Sequence, residues 1–347
     1  MSTIPVIDSH PEQSGISVIM PVYNGQDFIV KSLPPLIEMQ QRGEVQEVIV
    51  VDDSSTDDTR KIAEEMGARI IDSGGRLGPG AARNKAAVVA VGDVIWFVDA
   101  DVIVHKTAAE YLKEGFSDAG IVAVFGSYDD NPPAQNFLSQ YKNLVHHFYH
   151  HRGRREATTF WSGCGAVRKD AFLSAGGFDV ERFTRPSIED IELGFRLRKD
   201  GGRILLIPEF QSTHLKEWRF VNLIHTEVFC RAIPWSRLIF EQPEMAGDLN
   251  VSRAERLRAI LAGILFLAIV LSFAGYVQWW SGVVMFTLAA LANNRLFALF
   301  FRKKGPLFAV AGLLFHQLYY LYSSFAFVYT WLEWKFTKSK TASLKSL

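Results

Sequence analysis

The alternation of apolar, β-branched runs with helical segments over the first hundred residues constrains the fold of this chain most. The runs predict strands at 16–21, 47–51, 68–71 and 94–98, and the segments between them predict helices at 28–39, 57–66 and 81–91. The first of these helices contains Pro34-Pro35, which can end a helix early. Helices between successive strands imply an α/β protein with a mostly parallel sheet covered by helices.

Acidic residues follow two of these strands directly. Asp52 and Asp53 come after the strand 47–51, and Asp99-Ala100-Asp101 comes after the strand 94–98. Ligands of such sheets bind beyond the carboxyl ends of the strands, so these four carboxylates are predicted to share the binding edge. Two carboxylates one residue apart can hold Mg²⁺ or Mn²⁺, which take oxygen ligands and often bridge to phosphates. A solvated acidic pair is the alternative.

Two neighbouring segments leave both a structural and a functional interpretation open. In residues 52–57, the Ser, Thr and Asp side chains can cap the next helix, or one aspartate can accept a hydrogen bond from a nucleobase. Residues 74–84 form a glycine-rich loop that enters a helix. This loop is either a plain connection or an anion site that Arg83 completes.

Farther along the chain, strands are predicted at 121–127 and 203–207, helices at 136–151 and 188–199, and a turn-like element at 161–166. Glu189-Asp190 opens the second helix. Those carboxylates either stabilise the helix N-terminus or include a general base. His146 and His150 share a face of the first helix. Together with Arg152 they predict a basic surface or a contact with anionic headgroups.

The apolar excess of the chain lies at its C-terminal end. Apolar stretches at 257–276, 278–301 and 306–332 approach or exceed the roughly 20 residues needed to span a bilayer. Trp279, Trp280, Trp331 and Trp334 sit at their edges, as interface anchors do. Residues 219–240 predict a pair of interfacial helices. About three spans are expected, although the basic residues after the third one would then break the positive-inside rule.

Charge and cysteine content exclude several other classes of protein. The formal net charge is zero, which argues against the broad basic face that nucleic-acid-binding proteins need. Cys164 and Cys230 lie too far apart to form a spacing motif, so neither a disulfide framework nor a zinc site is expected. A reduced, cytosol-facing catalytic domain follows. Residues 1–15 are polar and do not resemble a signal peptide.

A set of motifs, in order and spacing, resembles the family 2 glycosyltransferases with the GT-A fold, a Rossmann-like α/β architecture. The resemblance covers about residues 16–214 and depends on Pro21-Val22-Tyr23-Asn24, Val51-Asp52-Asp53-Ser54-Ser55, Gly80-Ala81-Ala82-Arg83-Asn84, Asp99-Ala100-Asp101 and Glu189-Asp190. It implies an inverting enzyme that works by one direct displacement, with Mg²⁺ or Mn²⁺ as cofactor.

The resemblance also implies roles for single residues on the donor side. Pro21, Tyr23 and Asp53 would line the nucleobase pocket, with Asp53 on the base N–H. Arg83 would lie near the nucleotide. Asp99 would contact the ribose or the metal, and Asp101 would be the main metal ligand.

On the acceptor side, the resemblance makes Asp190 the general base and Glu189 the residue that orients it. Some relatives place a metal-contacting histidine where His214 stands. Trp161, Gly163 and Cys164 match the acceptor-side segment of the family. Trp235 ends the run Arg231-Ala232-Ile233-Pro234-Trp235, which is similar to the Q/R-x-x-R-W box of processive polysaccharide synthases except for its proline.

The expected protein is a multi-pass enzyme of the cell membrane with a cytoplasmic catalytic domain. It would move a sugar from a UDP- or GDP-sugar to a lipid or lipid-linked acceptor, and no nucleic acid is expected as a partner. A processive polysaccharide synthase and a catalytically inactive scaffold are the alternatives. The expected layout is a tail at 1–14, a catalytic domain at 15–218, interfacial helices at 219–252, a membrane region at 253–336 and a basic tail at 337–347.

Overall fold

A computed structural model of the chain describes residues 15–242 and 252–345, with side chains described up to residue 337. The predicted tail at 1–14 and part of the predicted segment 219–252 lie outside the described residues. The described residues form a sheet with helices on both faces, followed by a group of long apolar helices.

The sheet contains nine strands among the described residues. Their order is β3-β2-β1-β4-β8-β6-β9-β5, with β7 beside β9. The strands are β1 Ile16–Val22, β2 Glu47–Asp52, β3 Arg69–Asp72, β4 Val94–Val98, β5 Val102–Val104, β6 Ile121–Tyr128, β7 Glu156–Ala157, β8 Cys164–Arg168 and β9 Arg203–His214. The four strands predicted in the first hundred residues are present, and they pair in parallel as expected.

The prediction of a mostly parallel sheet is wrong, because the sheet is mixed. Four pairings among the described strands are parallel and four are antiparallel. Strand β8 lies between β4 and β6 and runs antiparallel to both. Part of it was predicted as a turn, because its small residues carry no strand periodicity.

Seven of the described helices belong with this sheet: α1 Gln26–Gln41, α2 Thr59–Glu65, α3 Pro79–Val89, α4 Ala108–Gly115, α5 Phe137–Arg152, α6 Lys169–Ser174 and α7 Glu189–Lys199. The prediction that Pro34-Pro35 can end α1 early is wrong, because the helix continues through both prolines. Leu33 and Leu36 beside them are fully buried, so packing against the sheet offsets the lost backbone hydrogen bonds.

The alternation of side chains along each strand builds a core on both faces of the sheet. Trp96 of β4 belongs to the cluster that also contains Leu33 and Leu36 of α1. Its neighbour Phe97 points the other way and packs with Phe172 and Phe178, whose rings lie 5.4 and 5.3 Å from it. Helices on the two faces therefore fix the strand ends, where the predicted carboxylates lie.

The C-terminal part of the chain is helical. It comprises α8 Phe220–His225, a π-helical segment Thr226–Ala232, α9 Ile233–Glu241, α10 Arg253–Phe273, α11 Trp280–Ala292, α12 Asn294–Lys304 and α13 Pro306–Lys345. Among the described residues, one helix, α10, is long and apolar enough to cross a membrane. The pair α11 and α12, bent by 84°, adds a second crossing only if it acts as one span.

The expectation of about three spans is therefore not supported by the described helices. Helix α13 covers the third predicted stretch, but His316 and Gln317 lie in its middle and are buried against other helices. Tyr320 of α13 donates a 2.6 Å hydrogen bond to Glu255 of α10, and Tyr149 of α5 donates a 3.0 Å bond to the same carboxylate. The apolar helices are thus joined to the sheet and its helices through α5.

Candidate active site

A cavity of about 550 Å³ lies between the sheet edge, the start of α7 and the helices α5 and α13. Most residues that the sequence predicted for the site line it: Pro21, Tyr23, Arg83, Asp99, Asp101, Trp161, Gly163, Glu189, Asp190, His214 and Trp235. Asp53 and Cys164 do not line it. Residues from distant parts of the sequence thus meet around one space.

Asp53 holds the glycine-rich loop. Its two carboxylate oxygens accept hydrogen bonds from the backbone N–H groups of Leu77 and Gly78, at 2.9 and 2.8 Å. The guanidinium of Arg76 in the same loop lies 4.1 Å from the centre of the Tyr23 ring. Each carboxylate oxygen has a second lone pair, so Asp53 keeps acceptor capacity for a base N–H, although it is buried. That role for Asp53 stays a prediction.

The neighbouring aspartates of this segment have structural partners. Asp52 accepts a hydrogen bond from the Ser55 N–H at 3.0 Å, and Asp57 accepts one from the Thr59 N–H at 3.1 Å. Of these aspartates, only Asp57 bonds to the start of α2 at Thr59; Asp52 closes a turn before that helix, and Asp53 binds the loop.

Asp99 is paired with a buried arginine. The Arg83 guanidinium, which α3 supplies, forms an ion pair with the Asp99 carboxylate. It also lies 5.9 Å from the Phe97 ring centre and 5.5 Å from that of Phe178. Burial raises the pKa of Asp99, and the charge of Arg83 opposes that rise. The Asp99 carboxylate is thus directed toward Arg83.

Asp101 lies beside a histidine from the far end of the domain. Its Oδ2 is 3.5 Å from His214 Nε2, because β5 pairs antiparallel with β9 and brings Val102 opposite His214. The ring of Tyr128 stacks on His214 with centroids 4.3 Å apart and planes 8° apart. Burial acts to raise the pKa of Asp101, but His214, Lys216 and a backbone hydrogen bond together lower it.

The donor set at this edge fits a cation that is completed by ligands from outside the protein. No group of three or more His, Cys, Asp or Glu side chains placed to hold a metal ion occurs among the described residues. Mg²⁺ and Mn²⁺ commonly bind through one or two carboxylates plus substrate phosphates and water. Asp101 and His214 can supply the protein part of such a site. Asp99 is engaged by Arg83.

Asp190 and Glu189 lie at the start of α7. Asp190 Oδ2 accepts a 3.1 Å hydrogen bond from the Ser162 N–H, and Glu189 accepts a 2.7 Å bond from the Ser187 N–H. Burial raises the pKa of both carboxyl groups, and the charge of Asp190 raises that of Glu189 further. A buried carboxylate with a raised pKa, held at the wall of a cavity, is suited to accept a proton.

In the predicted acceptor segment, Trp161 and Gly163 line the cavity, whereas Cys164 does not. A Cβ on Gly163 would lie 2.8 Å from the Trp161 ring, so glycine is required for that ring to lie where it does. Cys164 is buried in β8 opposite Val98, and burial raises the pKa of its thiol to about 12. Trp235 lines the cavity, and its indole N–H has no hydrogen-bond partner among the described residues.

A glycine in α7 sets how closely the helix that carries Asp190 approaches the sheet. An ideal Cβ on Gly194 would lie 2.4 Å from the Phe160 backbone nitrogen. We expect Gly194→Ala to lower the free energy of unfolding by about 1–3 kcal/mol, through overpacking. Chemical denaturation measures this effect. Gly263→Ala is the control, because its Cβ would meet no atom within 4 Å; equal effects of the two changes would contradict the prediction.

Sequence reasoning missed several residues of the cavity wall, among them Tyr128, Lys142 and Glu227. Lys142 shares a face of α5 with His146 and His150, and the two histidine rings lie 3.9 Å apart. The four-residue spacing was a usable signal, since side chains at i and i+4 share a helix face. Which face pointed into a cavity could not be predicted, because that depends on packing.

Part of the chain is similar to known proteins. Residues 17–175 match the family model for glycosyl transferase family 2. The O-antigen chain rhamnosyltransferase WbaN of Salmonella anatum is 29% identical over 211 residues, which is 56% of this chain and 66% of that protein. Curated relatives extend well beyond the aligned part, and the chain spans between 18% and 66% of their length.

Two solved structures resemble the chain over most of its length. The first 349 residues of Staphylococcus aureus TarS, in complex with UDP-GlcNAc, give a TM-score of 0.51 at 19% identity and cover 89% of this chain and 90% of that one. The mannosyltransferase PcManGT of Pyrobaculum calidifontis, in complex with GDP-Man and Mn²⁺, gives 0.50 at 18% identity, with 92% and 88% covered. These likenesses show an α/β GT-A fold.

Proposed function

From the match of residues 17–175 to glycosyl transferase family 2 and from the GT-A fold, we propose that the chain is an inverting, metal-dependent glycosyltransferase. Its donor is a UDP- or GDP-sugar, and its acceptor is a lipid or lipid-linked molecule. One observation carries the proposal: Asp101 and His214 on one wall of the cavity face a space that Asp190 lines from another wall.

The donor half of the cavity suits a nucleoside diphosphate. Tyr23 and Arg76 offer a ring face and a cation beside β1, and Arg83 is a buried cation near the sheet edge. Asp101 and His214 would hold Mg²⁺ or Mn²⁺, which, when bound, offsets the charge that develops on a departing diphosphate. The Mn²⁺ and GDP-Man complex of PcManGT and the UDP-GlcNAc complex of TarS support this assignment.

The acceptor half of the cavity supplies the base. Asp190 takes the proton of the acceptor hydroxyl as its oxygen attacks the anomeric carbon, while the bond to the diphosphate breaks on the opposite face. The hydrogen bond from the Ser162 N–H fixes the Asp190 carboxylate, and Glu189 lies next to it on α7. One displacement with no covalent intermediate inverts the configuration. Pro234 stands where the processive synthases have arginine, so we propose a single transfer rather than processive synthesis.

The C-terminal helices would place this site at the cytoplasmic face of the cell membrane. Helix α10 is long and apolar enough to cross a bilayer, and Phe273 at its end is 90% exposed. Large exposed apolar side chains on neighbouring helices are typical of a surface that contacts a membrane or another protein. We propose one or two spans, with the catalytic domain against the headgroups and the acceptor entering from the lipid side.

The proposal is tested by ligand-induced stabilisation of the purified full chain. UDP, GDP and a panel of their sugars are added with Mn²⁺ or with a chelator, and the melting temperature is followed. A ligand that binds the folded state at a hundredfold its Kd should stabilise it by about 2.7 kcal/mol. We expect one nucleotide class to stabilise the protein in Mn²⁺ and much less in chelator. No shift with any nucleotide would refute a nucleotide-sugar enzyme.

A further inference from the structure

Three charged residues on the inner wall of the cavity have no role in the chemistry above. Lys142 of α5 and Arg231 of the π-helical segment both contact Glu227, with Lys142 Nζ 2.7 Å and Arg231 Nη1 3.0 Å from the same Oε1 atom. The Glu227 and Lys142 side chains are 7% and 16% exposed, whereas the Arg231 side chain is 44% exposed. All three line the cavity. We call them the inner cluster.

The inner cluster carries more positive than negative charge. Two cations share one carboxylate, and Lys216, whose ammonium lies 4.4 Å from the Trp218 ring centre, adds a further cation to the same cavity. The hydrogen bond to Glu227 uses one N–H group of Arg231 and leaves other donors of the guanidinium to face the cavity. A cavity wall with more cations than carboxylates in one cluster favours an anionic ligand there.

The pKa of Lys142 is lowered, mainly by burial. The charges of Arg231 and Lys216 lower it as well, while Glu227 acts in the opposite direction. An anion bound between Lys142 and Arg231 would favour the charged ammonium.

The position of the inner cluster favours the acceptor over the donor. Its members come from α5 and the π-helical segment. Tyr23, in the donor half of the cavity, instead lies directly after strand β1. Tyr319 and Tyr322 of α13 line the same cavity. Leu307 and Phe325 of α13 are 88% and 79% exposed, so an apolar surface continues along the helix that closes this end. An anionic group that arrives here on an apolar chain matches both surfaces.

We propose that Lys142 and Arg231 bind a phosphate group on a lipid acceptor, whose apolar chain lies along α13. The assignment rests on the proposed function and names the class of its acceptor. Phosphate could also reach the cluster as the diphosphate of the donor. Arginine can bind a phosphate through two charged, parallel hydrogen bonds, which are short and strong. The Arg231 guanidinium is therefore the main determinant of affinity for the phosphate.

The test compares one lipid phosphate with its neutral alcohol on the full chain in detergent. Dissociation constants are measured for geranylgeranyl monophosphate and geranylgeraniol, and separately for UDP and GDP with Mn²⁺. Lys142→Gln and Arg231→Gln are expected to weaken binding of the phosphate about tenfold or more, as lost charge-assisted hydrogen bonds do, and to leave the alcohol and the nucleotides unchanged. Arg237→Gln is the control, because its side chain pairs with Glu333 and does not line the cavity.

Two further variants separate ligand binding from a purely structural role. Glu227→Gln removes the competing carboxylate, so the phosphate should bind at least as tightly as to the wild type. Arg231→Lys keeps the charge but loses the bidentate fork, so it should recover only part of the affinity that Arg231→Gln loses. Equal binding of the phosphate and the alcohol, or weaker nucleotide binding with unchanged lipid phosphate binding, would overturn the inference. A wild type that binds lipid phosphate but neither UDP nor GDP would instead refute the proposed function.

Discussion

Asp190→Asn is expected to lower kcat for sugar transfer by about 10²–10⁴-fold, the usual contribution of a general base. Asparagine keeps the size of the side chain and can still accept the hydrogen bond from the Ser162 N–H. It cannot take the proton of the acceptor hydroxyl at neutral pH. The melting temperature and the affinity for the nucleotide should therefore change little, while transfer to an acceptor fails.

The pH profile gives this prediction a second measurement. Burial raises the pKa of Asp190, so the carboxylate is lost as the pH falls through a value above the ordinary aspartate range. Transfer by the wild type should decline on the acid side at that higher pH, and Asp190→Asn should remove the decline along with the activity. Asp200→Asn, at the exposed end of the same helix, is the matched control. Wild-type kcat in the Asp190 variant would eliminate it as the base.

Asp101→Asn is expected to cost several kcal/mol of transition-state stabilisation, or about 100-fold or more in kcat/KM, with loss of metal dependence. The neutral amide is a weak ligand for a hard cation, and His214 alone offers one nitrogen. Mn²⁺ affinity in the presence of UDP or GDP, followed by the paramagnetic signal of the free ion, measures the site independently of turnover.

Asp99→Asn provides the comparison for Asp101. Its carboxylate is paired with Arg83, so the neutral variant should disturb that arginine and the nucleotide more than the cation. We expect the Mn²⁺ affinity of the Asp99 variant to stay within a few-fold of the wild type. Retained metal stimulation in Asp101→Asn, or a larger loss of Mn²⁺ affinity in Asp99→Asn, would show that the ligand roles are reversed.

The local sequence pattern was sufficient to predict the strands and helices of the first half of the domain. The strand 94–98 has the predicted bounds, and the other early strands and helices differ by one to a few residues. Burial of β-branched runs on both faces and helical periodicity are local properties, so neighbouring residues reveal them. The same pattern failed at β8, whose small residues pair through the backbone with strands far away in sequence.

The residues of the candidate site were available from sequence, but their partners were not. The motifs indicated Asp99, Asp101 and Asp190. The resemblance placed His214 with Asp101 at the metal. Only the packed domain shows that Arg83 engages Asp99, and that the pairing of β5 with β9 across 112 residues of chain brings His214 to Asp101.

In this sequence, strands alternate with helices and two of the strands end in carboxylates. That pattern alone predicted an α/β domain with acidic residues at one edge of its sheet. Tertiary structure decided the mixed strand order, the loop held by Asp53 and the inner cluster of Lys142, Glu227 and Arg231. The physical reason is that local propensity depends on near neighbours. Which side chains face one cavity depends on how helices far apart in the chain pack together.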